Sequence, residues 1–354
     1  MRLLHRYIRS TVIGMTCLVV LIIVGIQIFI GFVNEIRDIG TGGYGAWQAF
    51  IYILASLPHD VYPLFPAAAL IGCLIGLGRL AAYSELIVMR ASGVSKVQIT
   101  LSVMRATVLM LVFATALGEW SGPALKSFAI NYKAKAEAGS VNTTRYGVWL
   151  REGNSFVHID QISADGQLSV IARYDFVDHK LVTASVANIG RYEEGHWLFI
   201  GIKTSHFYPD HIKVTRPNPD QEIWPLSFDP QIISAAAIDT DQATLWDLHR
   251  YIVYLQHSGL SSNSYSFDFW KRLLQPLATL VMIGLGVPFI FGPLRTVTMG
   301  LRILIGVIIG FSFYTFNEFL GPFSLVYQVP PIWSAAAPII LFAIIDAILW
   351  WRVR

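Results

Sequence analysis

Charged residues and cysteines are both scarce in this chain of 354 residues. Only 14% of the residues are Asp, Glu, Lys or Arg, whereas about a quarter is usual in a soluble domain, and 54% are hydrophobic. The two cysteines, Cys17 and Cys73, lie within apolar runs, so a disulfide framework is not supported. This composition argues against a soluble enzyme and against a nucleic-acid-binding protein, and it favours an integral membrane protein.

Motifs for nucleotide binding and hydrolysis are also missing. The sequence has no G-x-x-x-x-G-K-[ST], no G-x-S-x-G and no H-E-x-x-H. Any ATP that the protein uses must therefore be bound by another chain. Several histidines lie in one polar region, but without the tight spacing of metal ligands on one element, so we expect surface histidines and no metal site. These are His158, His179, His196, His206 and His211.

Six apolar runs of membrane-spanning length divide the chain, since a helix needs about 20 such residues to cross a bilayer. They cover residues 11–33, 58–80, 99–122, 273–294, 303–320 and 332–351. The sequence therefore predicts an N-terminal membrane half over residues 1–122 and a C-terminal membrane half over residues 269–354. A polar domain with its connectors is predicted over residues 123–268.

The distribution of charge predicts the orientation. Residues 123–268 carry a net charge of −4 and the rest of the chain carries +7. Basic residues flank the runs on the side of the N-terminus, and Arg37 is the only basic residue in the short loops of the opposite side. Because cytoplasmic loops are enriched in Lys and Arg, we expect both termini inside and the polar domain outside.

The polar domain has the pattern of an all-β structure. Short apolar runs recur every 10–15 residues, with turn residues at 152–154, 178–180 and 193–195. This spacing predicts a sandwich or jelly roll. A helix is expected to follow over residues 247–258.

Pairs of glycines four residues apart occur in three of the spans and permit close approach of helices in lipid. They are Gly72 and Gly76, Gly118 and Gly122, and Gly306 and Gly310. Packing within this chain and packing against a second subunit both explain them.

The loop between spans two and three, residues 84–96, predicts a short amphipathic helix. Ser84 is suited to cap its start and Gly93 to end it, and Leu86, Met89 and Arg90 share one face. Such a helix suits the docking of a soluble partner, and it also suits rest on the lipid surface. The pattern alone leaves both open.

Five stretches carry a resemblance to a known family: SELIVMRASGVS (84–95), GEW-x-x-P (118–123), NYKAKA (131–136), FIFGPLRTVTMGLR (289–302) and GPFSLVYQVPP (321–331). The chain resembles the LptF/LptG permeases of the lipopolysaccharide exporter of Gram-negative bacteria. The resemblance implies six transmembrane helices in the inner membrane with an inserted periplasmic β jelly roll. It also implies a non-catalytic permease subunit with no cofactor of its own, because ATP and magnesium would be bound by a separate ATPase, LptB.

The resemblance further implies partners and site residues. The partners would be LptB, a second permease of the family, LptC with the periplasmic bridge, lipopolysaccharide and membrane lipid. The 84–96 helix would couple to the ATPase through Glu85, Leu86, Met89 and Arg90. A cationic rim for lipopolysaccharide phosphates would comprise Arg37, His59, Lys133 and Lys135. His59, Gly31 and Asp38 stand where relatives can have lysine, and for each basic residue snorkelling at the interface is the simpler explanation.

Other classes of function remain possible on the sequence. A different ABC permease, such as a lipoprotein-release subunit, would also lack a P-loop but usually has four spans. A membrane-anchored hydrolase would need a nucleophile and a base that converge in the β domain. A scaffold that binds lipid without transporting it is the third alternative.

Overall fold

The computed structural model describes residues 2–138, 143–144, 147–163, 167–178, 180–193, 195–217, 220–224, 226, 228, 230, 232–233, 242–291 and 297–353. It has two compact units, Met1–Glu137 with Asn263–Arg354, and Ala138–Ser262. The inserted unit is narrower than the predicted 123–268. The predicted range also included the connectors on both sides, and in the structure these connectors are the helical residues of Gly122–Ala138 and the first turns of Asn263–Phe291.

The first unit contains, in the described residues, six helical segments long and apolar enough to cross a membrane, as predicted. Three are single helices, each of which corresponds to one predicted span: α1 (Arg2–Glu35), α9 (Met299–Tyr327) and α10 (Pro331–Val353). A fourth, α8 (Asn263–Phe291), begins ten residues before the predicted span.

The other two segments are composite and longer than predicted. The second joins α2 (Ala46–Val61), a 3-10 turn and α3 (Phe65–Ala82), and the predicted start at Pro58 lies inside α2. The third joins α5 (Lys96–Thr115), a π-helical turn and α6 (Gly122–Ala138). Proline and polar residues end the hydropathic runs in the sequence, but they do not end these helices.

Helix α3 lies at the centre of the membrane unit. Its Leu70, Cys73, Leu74 and Leu77 are fully buried. It packs against α1, α8 and α9, so three of the other spanning segments surround it. By contrast, α1 and α9 keep long apolar faces exposed.

The glycine pairs serve packing within the chain. A Cβ atom on Gly72 would lie 2.4 Å from the Cα atom of Thr16 in α1, and one on Gly310 would lie 2.8 Å from Cβ of Ala67 in α3. Gly118 meets the ring of Tyr62 in the same way. In each pair, at least one glycine is therefore explained by close contact with another helical segment of this chain.

The inserted unit is an antiparallel β-sheet followed by a helix. In the described residues its strands are β1 (Thr143–Thr144), β2 (Val148–Glu152), β3 (Ser155–Ser163), β4 (Leu168–Val177), β5 (Lys180–Glu193), β6 (His196–Ile200), β7 (Lys203–Phe207), β8 (Ile212–Thr215) and β9 (Gln221–Trp224). The order is β1-β3-β4-β5-β6-β9, with β2 also pairing with β3 and with β7 joining β5 to β8. The prediction of an inserted all-β domain is confirmed, and so is the antiparallel pairing of the strands on either side of 152–154, 178–180 and 193–195.

Aromatic residues form the core of one end of this sheet. Trp197 and Phe199 on β6 are fully buried, and the Phe199 ring stacks on Trp224 with centroids 4.2 Å apart. The buried indole N–H of Trp197 donates to the carbonyl oxygen of Phe228 at 2.8 Å. Buried tryptophan usually needs such an acceptor, so the core is both apolar and satisfied.

The predicted helix after the sheet is α7 (Leu245–His257). Thr244 and Asp247 form a capping box at its start. The Tyr254 hydroxyl accepts from the backbone N–H of Arg151 and donates to its carbonyl, both at 3.1 Å. Burial raises the pKa of Tyr254 and outweighs these bonds, so the hydroxyl stays protonated and ties α7 to β2.

Asp175 on β4 accepts a group of hydrogen bonds whose contribution to the stability of the inserted unit depends on pH. Its carboxylate accepts from Ser155 at 2.5 Å, from Thr183 at 2.6 Å and from the Arg173 guanidinium at 2.8 Å, next to a β-bulge. Burial alone would raise the pKa of Asp175, but these hydrogen bonds and the Arg173 charge outweigh it and lower the pKa below 3.8. Because the pKa of Asp175 is lower in the folded than in the unfolded protein, its ionised carboxylate stabilises the fold at pH values above the unfolded pKa. This stabilisation is lost as the pH falls through the folded pKa.

We expect Asp175→Asn to destabilise the sheet by about 1–2 kcal/mol at pH 7, because hydrogen bonds to a charged acceptor are lost. Hydrogen exchange of β3 to β5, measured in the full chain at several pH values, gives the difference in stability between the variant and the native protein. The difference should be constant above about pH 5 and should shrink below about pH 4. A difference that persists unchanged at low pH would contradict the role of the ionised carboxylate.

Candidate functional site

The ends of the membrane unit differ in chemistry. At one end, the end of α1 near Glu35, acidic and basic side chains from α1, α2 and α6 meet. The other end carries the short helix between α3 and α5. An apolar pocket lies between these ends, in the middle of the spanning helices.

The end of α1 and the side of α6 are joined by a group of side chains here named the lysine cluster: Glu35, Asp38, Tyr44, Tyr52 and Lys133. The Lys133 Nζ atom lies 2.7 Å from Glu35 Oε2 and 2.6 Å from Asp38 Oδ2, and it stands over both tyrosine rings at 5.3–5.4 Å. The Tyr44 hydroxyl donates to the same Glu35 oxygen at 2.7 Å. Burial, followed by this hydrogen bond, raises the pKa of Tyr44, so it remains a donor.

The loop before α2 closes against α6 at this end. The backbone N–H of Gly43 donates to the carbonyl oxygen of Ala136 at 2.8 Å. Gly42 has φ +57°, and a Cβ atom there would overlap the carbonyl oxygen of Glu137. Only glycine satisfies both the conformation and the close approach, so this turn holds the lysine cluster together.

A second ion-pair group lies on α2 and α6. Asp60 Oδ1 is 3.1 Å from both His59 Nδ1 and Lys126 Nζ. Asp60 and Lys126 also line a cavity of about 170 Å³ together with Glu35 and Tyr52, so the two groups are neighbours. This end is a network of paired charges.

The predicted rim residues differ in their surroundings. His59 and Lys133 are engaged with carboxylates, whereas Arg37 and Lys135 are exposed and make no ion pair with any residue that the structure describes. Asp38 is one of the partners of Lys133. The phosphate-binding role of all four stays a prediction. Arg37 and Lys135 are the two whose charge is not paired with a carboxylate of the described residues.

Sequence reasoning missed the acidic and aromatic members of these groups. Glu35, Tyr44, Asp60 and Lys126 were not singled out, although Glu35, Asp38 and Asp60 all lie at span ends on the same predicted side. Acidic residues there are a detectable signal that a nearby lysine is paired.

The short helix at the other end is α4 (Glu85–Ala91). The predicted capping by Ser84 is wrong: Ser84 has φ +62°, and its side chain makes no capping hydrogen bond. Gly93, at φ +92°, ends the helix as predicted. The N–H of Gly93 donates to Arg90 and that of Val94 to Met89, which is the Schellman pattern.

The orientation of α4 changes which of its residues can meet a partner. Leu86 and Met89 are 4% and 5% exposed and belong to the membrane core, so in this conformation they anchor the helix and are not available for docking. The exposed side carries Ile87, Val88 and Arg90. Glu85 is partly exposed, and its Oε1 accepts from the Tyr7 hydroxyl at 3.3 Å. A coupling role for the helix stays a prediction, with Glu85 and Arg90 as its charged members.

The apolar pocket lies between α1, the α2–α3 segment and α5 and has a volume of about 620 Å³. Nearly all of its lining is hydrophobic. The residues are Ile13, Cys17, Val20, Leu21, Val24, Leu57, Pro58, Val61, Tyr62, Phe65, Leu109, Met110, Phe113, Ala114 and Leu117. Its size is within the range of about 300–1,000 Å³ that is usual for ligand sites.

Histidines of the inserted unit make ordinary contacts where they are described. His206 Nε2 lies 3.0 Å from the Thr215 hydroxyl, His158 packs against the Trp149 ring at a tilt, and His211 stacks against Tyr208. In the described ranges no three His, Cys, Asp or Glu side chains are grouped to hold a metal. His179 lies outside the described residues.

Six spanning segments with an inserted antiparallel β unit define a multi-pass membrane protein. The model of the family described as lipopolysaccharide export system permease LptF/LptG matches residues 6–352. The chain is also similar to LptG of Escherichia coli strain K12, at 36% identity over 99% of this chain and 98% of the relative. LptG of Haemophilus influenzae is 36% identical over 98% of this chain and 97% of the relative. The chain belongs to the LptF/LptG family.

Proposed function

We propose that this chain is a permease subunit of a lipopolysaccharide exporter and acts without catalysing covalent chemistry. The observation that carries the proposal is the extent of the similarity. It runs through both membrane halves and the inserted β unit, over at least 98% of the chain, to relatives named lipopolysaccharide export system permease LptG. A family of permeases also accounts for a sequence without a nucleotide-binding or hydrolase motif.

The proposed location is the bacterial inner membrane, with both termini cytoplasmic and the β unit in the periplasm. Basic residues support this orientation. Arg6, Arg9, Arg79, Arg90 and Lys96 all belong to the α4 end of the unit, as expected for the cytoplasmic side. The lysine cluster then lies at the periplasmic side.

The proposed substrate path is formed with a second permease, LptF. Helix α1 has exposed apolar residues leading up to Arg37, including Ile26, Phe29 and Val33, and α9 exposes Ile308 and Phe311. An apolar wall that ends in cations matches a lipid with acyl chains and phosphates. LptB would supply ATP hydrolysis with its own ATP and magnesium and would dock at α4, while LptC and the periplasmic bridge would receive the lipid from the β unit.

In the proposed cycle, nucleotide binding by LptB moves α4. Because Leu86 and Met89 are part of the membrane core, a shift of α4 is transmitted to α3 and the helices around it. The cavity between the two permeases narrows, and lipopolysaccharide is extracted from the outer leaflet and passes to the β unit.

Purification of the tagged chain in mild detergent tests the proposal. Mass spectrometry should find a cytoplasmic ATPase, a second six-span permease and bound lipopolysaccharide. A chain that reproducibly purifies without any ATPase would contradict the proposal. The described chain has six spanning segments, which also distinguishes it from the four usual in lipoprotein-release permeases.

A further inference from the structure

A groove between α1 and α5 carries three arginines to which the proposed function assigns no ligand. It has a volume of about 410 Å³ and lies toward the α4 end of both helices. Its lining residues are Arg6, Arg9, Ser10, Ile13, Gly14, Arg105, Ala106 and Leu109, and we name it the arginine groove. His5 Nδ1 and the Ser102 hydroxyl, 2.5 Å apart, join the two helices beside it.

The charge of this groove is not neutralised by the described chain. Arg6, Arg9 and Arg105 make no ion pair with an acidic residue that the structure describes, and the one hydrogen bond among them runs from Arg9 Nε to the carbonyl oxygen of His5. Arg6 and Arg105 are exposed. Three guanidinium groups at one place on a pair of membrane helices favour an anionic ligand, and guanidinium binds phosphate with two parallel hydrogen bonds.

The arginine groove adjoins the apolar pocket. Ile13 and Leu109 line both. On α1 the pocket extends from Ile13 to Val24, which is about 16 Å of helix at 1.5 Å per residue. A single leaflet of a hydrocarbon core about 30 Å thick has about the same depth. A groove lined by arginines and an apolar pocket one leaflet deep are therefore adjacent.

We propose that the arginine groove and the apolar pocket bind one anionic glycerophospholipid of the inner leaflet. Its phosphodiester contacts Arg6, Arg9 and Arg105, and an acyl chain lies along Ile13 and Leu109 into the pocket. The side of the membrane follows from the orientation in the proposed function, in which the α4 end is cytoplasmic. This site lies at the opposite end of the unit from the lysine cluster and takes a different lipid from the exported one.

Lipid titration of the full chain, in the complex in which it purifies, tests the proposal by native mass spectrometry. The probes are dioleoylphosphatidylglycerol and dioleoylphosphatidylcholine. We expect one phosphatidylglycerol to bind in preference to phosphatidylcholine. Arg9→Gln combined with Arg105→Gln should weaken this binding roughly tenfold or more, because each basic residue near an anionic lipid adds to its affinity. Arg352→Gln is the matched control, because it removes an exposed arginine of α10 that lies at the same end of the membrane unit but outside the groove. It should change binding less than twofold.

A second pair of variants tests the apolar part with all arginines present. A Cβ atom on Gly14 meets nothing within 4 Å, so Gly14→Phe is accommodated by the fold while its ring obstructs the groove. Gly25 is equally open, lies three turns further along α1 and lines neither cavity, so Gly25→Phe is the control. Gly14→Phe should abolish retention of phosphatidylglycerol, and Gly25→Phe should not.

Three outcomes would overturn the proposal. They are equal binding of the two lipids, unchanged binding by the double arginine variant, and displacement of phosphatidylglycerol by added lipopolysaccharide one for one. The last would assign the groove to the exported lipid. Retained lipopolysaccharide and ATPase are measured in the same samples, so failure of this site is distinguishable from failure of the permease proposal.

Discussion

Replacing Glu85 by lysine is expected to abolish lipopolysaccharide export while the chain still folds and inserts. Glu85 is the first residue of α4, it is partly exposed, and its hydrogen bond from Tyr7 is long at 3.3 Å. The fold therefore depends little on it. In the proposed complex, however, its carboxylate faces the ATPase, and loss of one partner from a hydrogen-bonded interfacial charge pair costs about 2–5 kcal/mol. Charge reversal adds repulsion to that loss.

Two measurements check this expectation. ATP-driven release of lipopolysaccharide from proteoliposomes should be lost, and the amount of ATPase that copurifies should fall. Tyr7→Phe is the matched control, because it removes the contact of Glu85 within the chain and leaves the carboxylate in place. It should export normally. Normal export by Glu85→Lys would contradict a coupling role for Glu85. Loss of export by Tyr7→Phe would mean that the effect of Glu85→Lys comes from a displaced α4 and not from a lost contact with the ATPase.

Hydropathy predicted the number of spanning segments and the place of the insertion, because about 20 apolar residues in succession have few other stable environments. It could not predict where the helices end. In α2 and α6 the backbone continues through Pro58 and through Lys133, since neighbouring helices and ion pairs satisfy residues that a hydropathic window treats as breaks. The hairpins were predictable because turn residues are local signals.

The site was predictable as a set of residue types but not as a set of contacts. The sequence pattern predicts Leu86, Met89 and Arg90 on one face of a helix, whereas in the structure Leu86 and Met89 are buried and Arg90 is exposed, because packing against the membrane core decides which side of α4 is covered. Similarly, the choice of Lys133 as a free cation overlooked the carboxylates of Glu35 and Asp38, which lie almost 100 residues earlier in the chain. Tertiary pairing over that distance has no local pattern.

The second large effect is expected from Lys133→Met. Glu35 is 7% exposed, so removing its lysine leaves a buried carboxylate close to Asp38 without a cation. Breaking a fully buried ion pair costs about 3–5 kcal/mol, and because Asp38 is partly solvated and Tyr44 still donates to Glu35, we expect about 2–3 kcal/mol here. Lys135→Met is the matched control: this lysine is exposed two residues further on, and a surface substitution changes stability by about 0.5 kcal/mol or less.

Thermal unfolding of the full chain in detergent measures both variants, and a double variant identifies the cause. If the buried carboxylate is responsible, adding Glu35→Gln to Lys133→Met should restore most of the lost stability, because the amide carries no charge. Retention of lipopolysaccharide is measured in parallel. A Lys133→Met protein of native stability that loses its lipid would contradict the structural role and make Lys133 a direct phosphate contact. A destabilised protein that keeps its lipid would instead leave Arg37 and Lys135 as the cations of the rim.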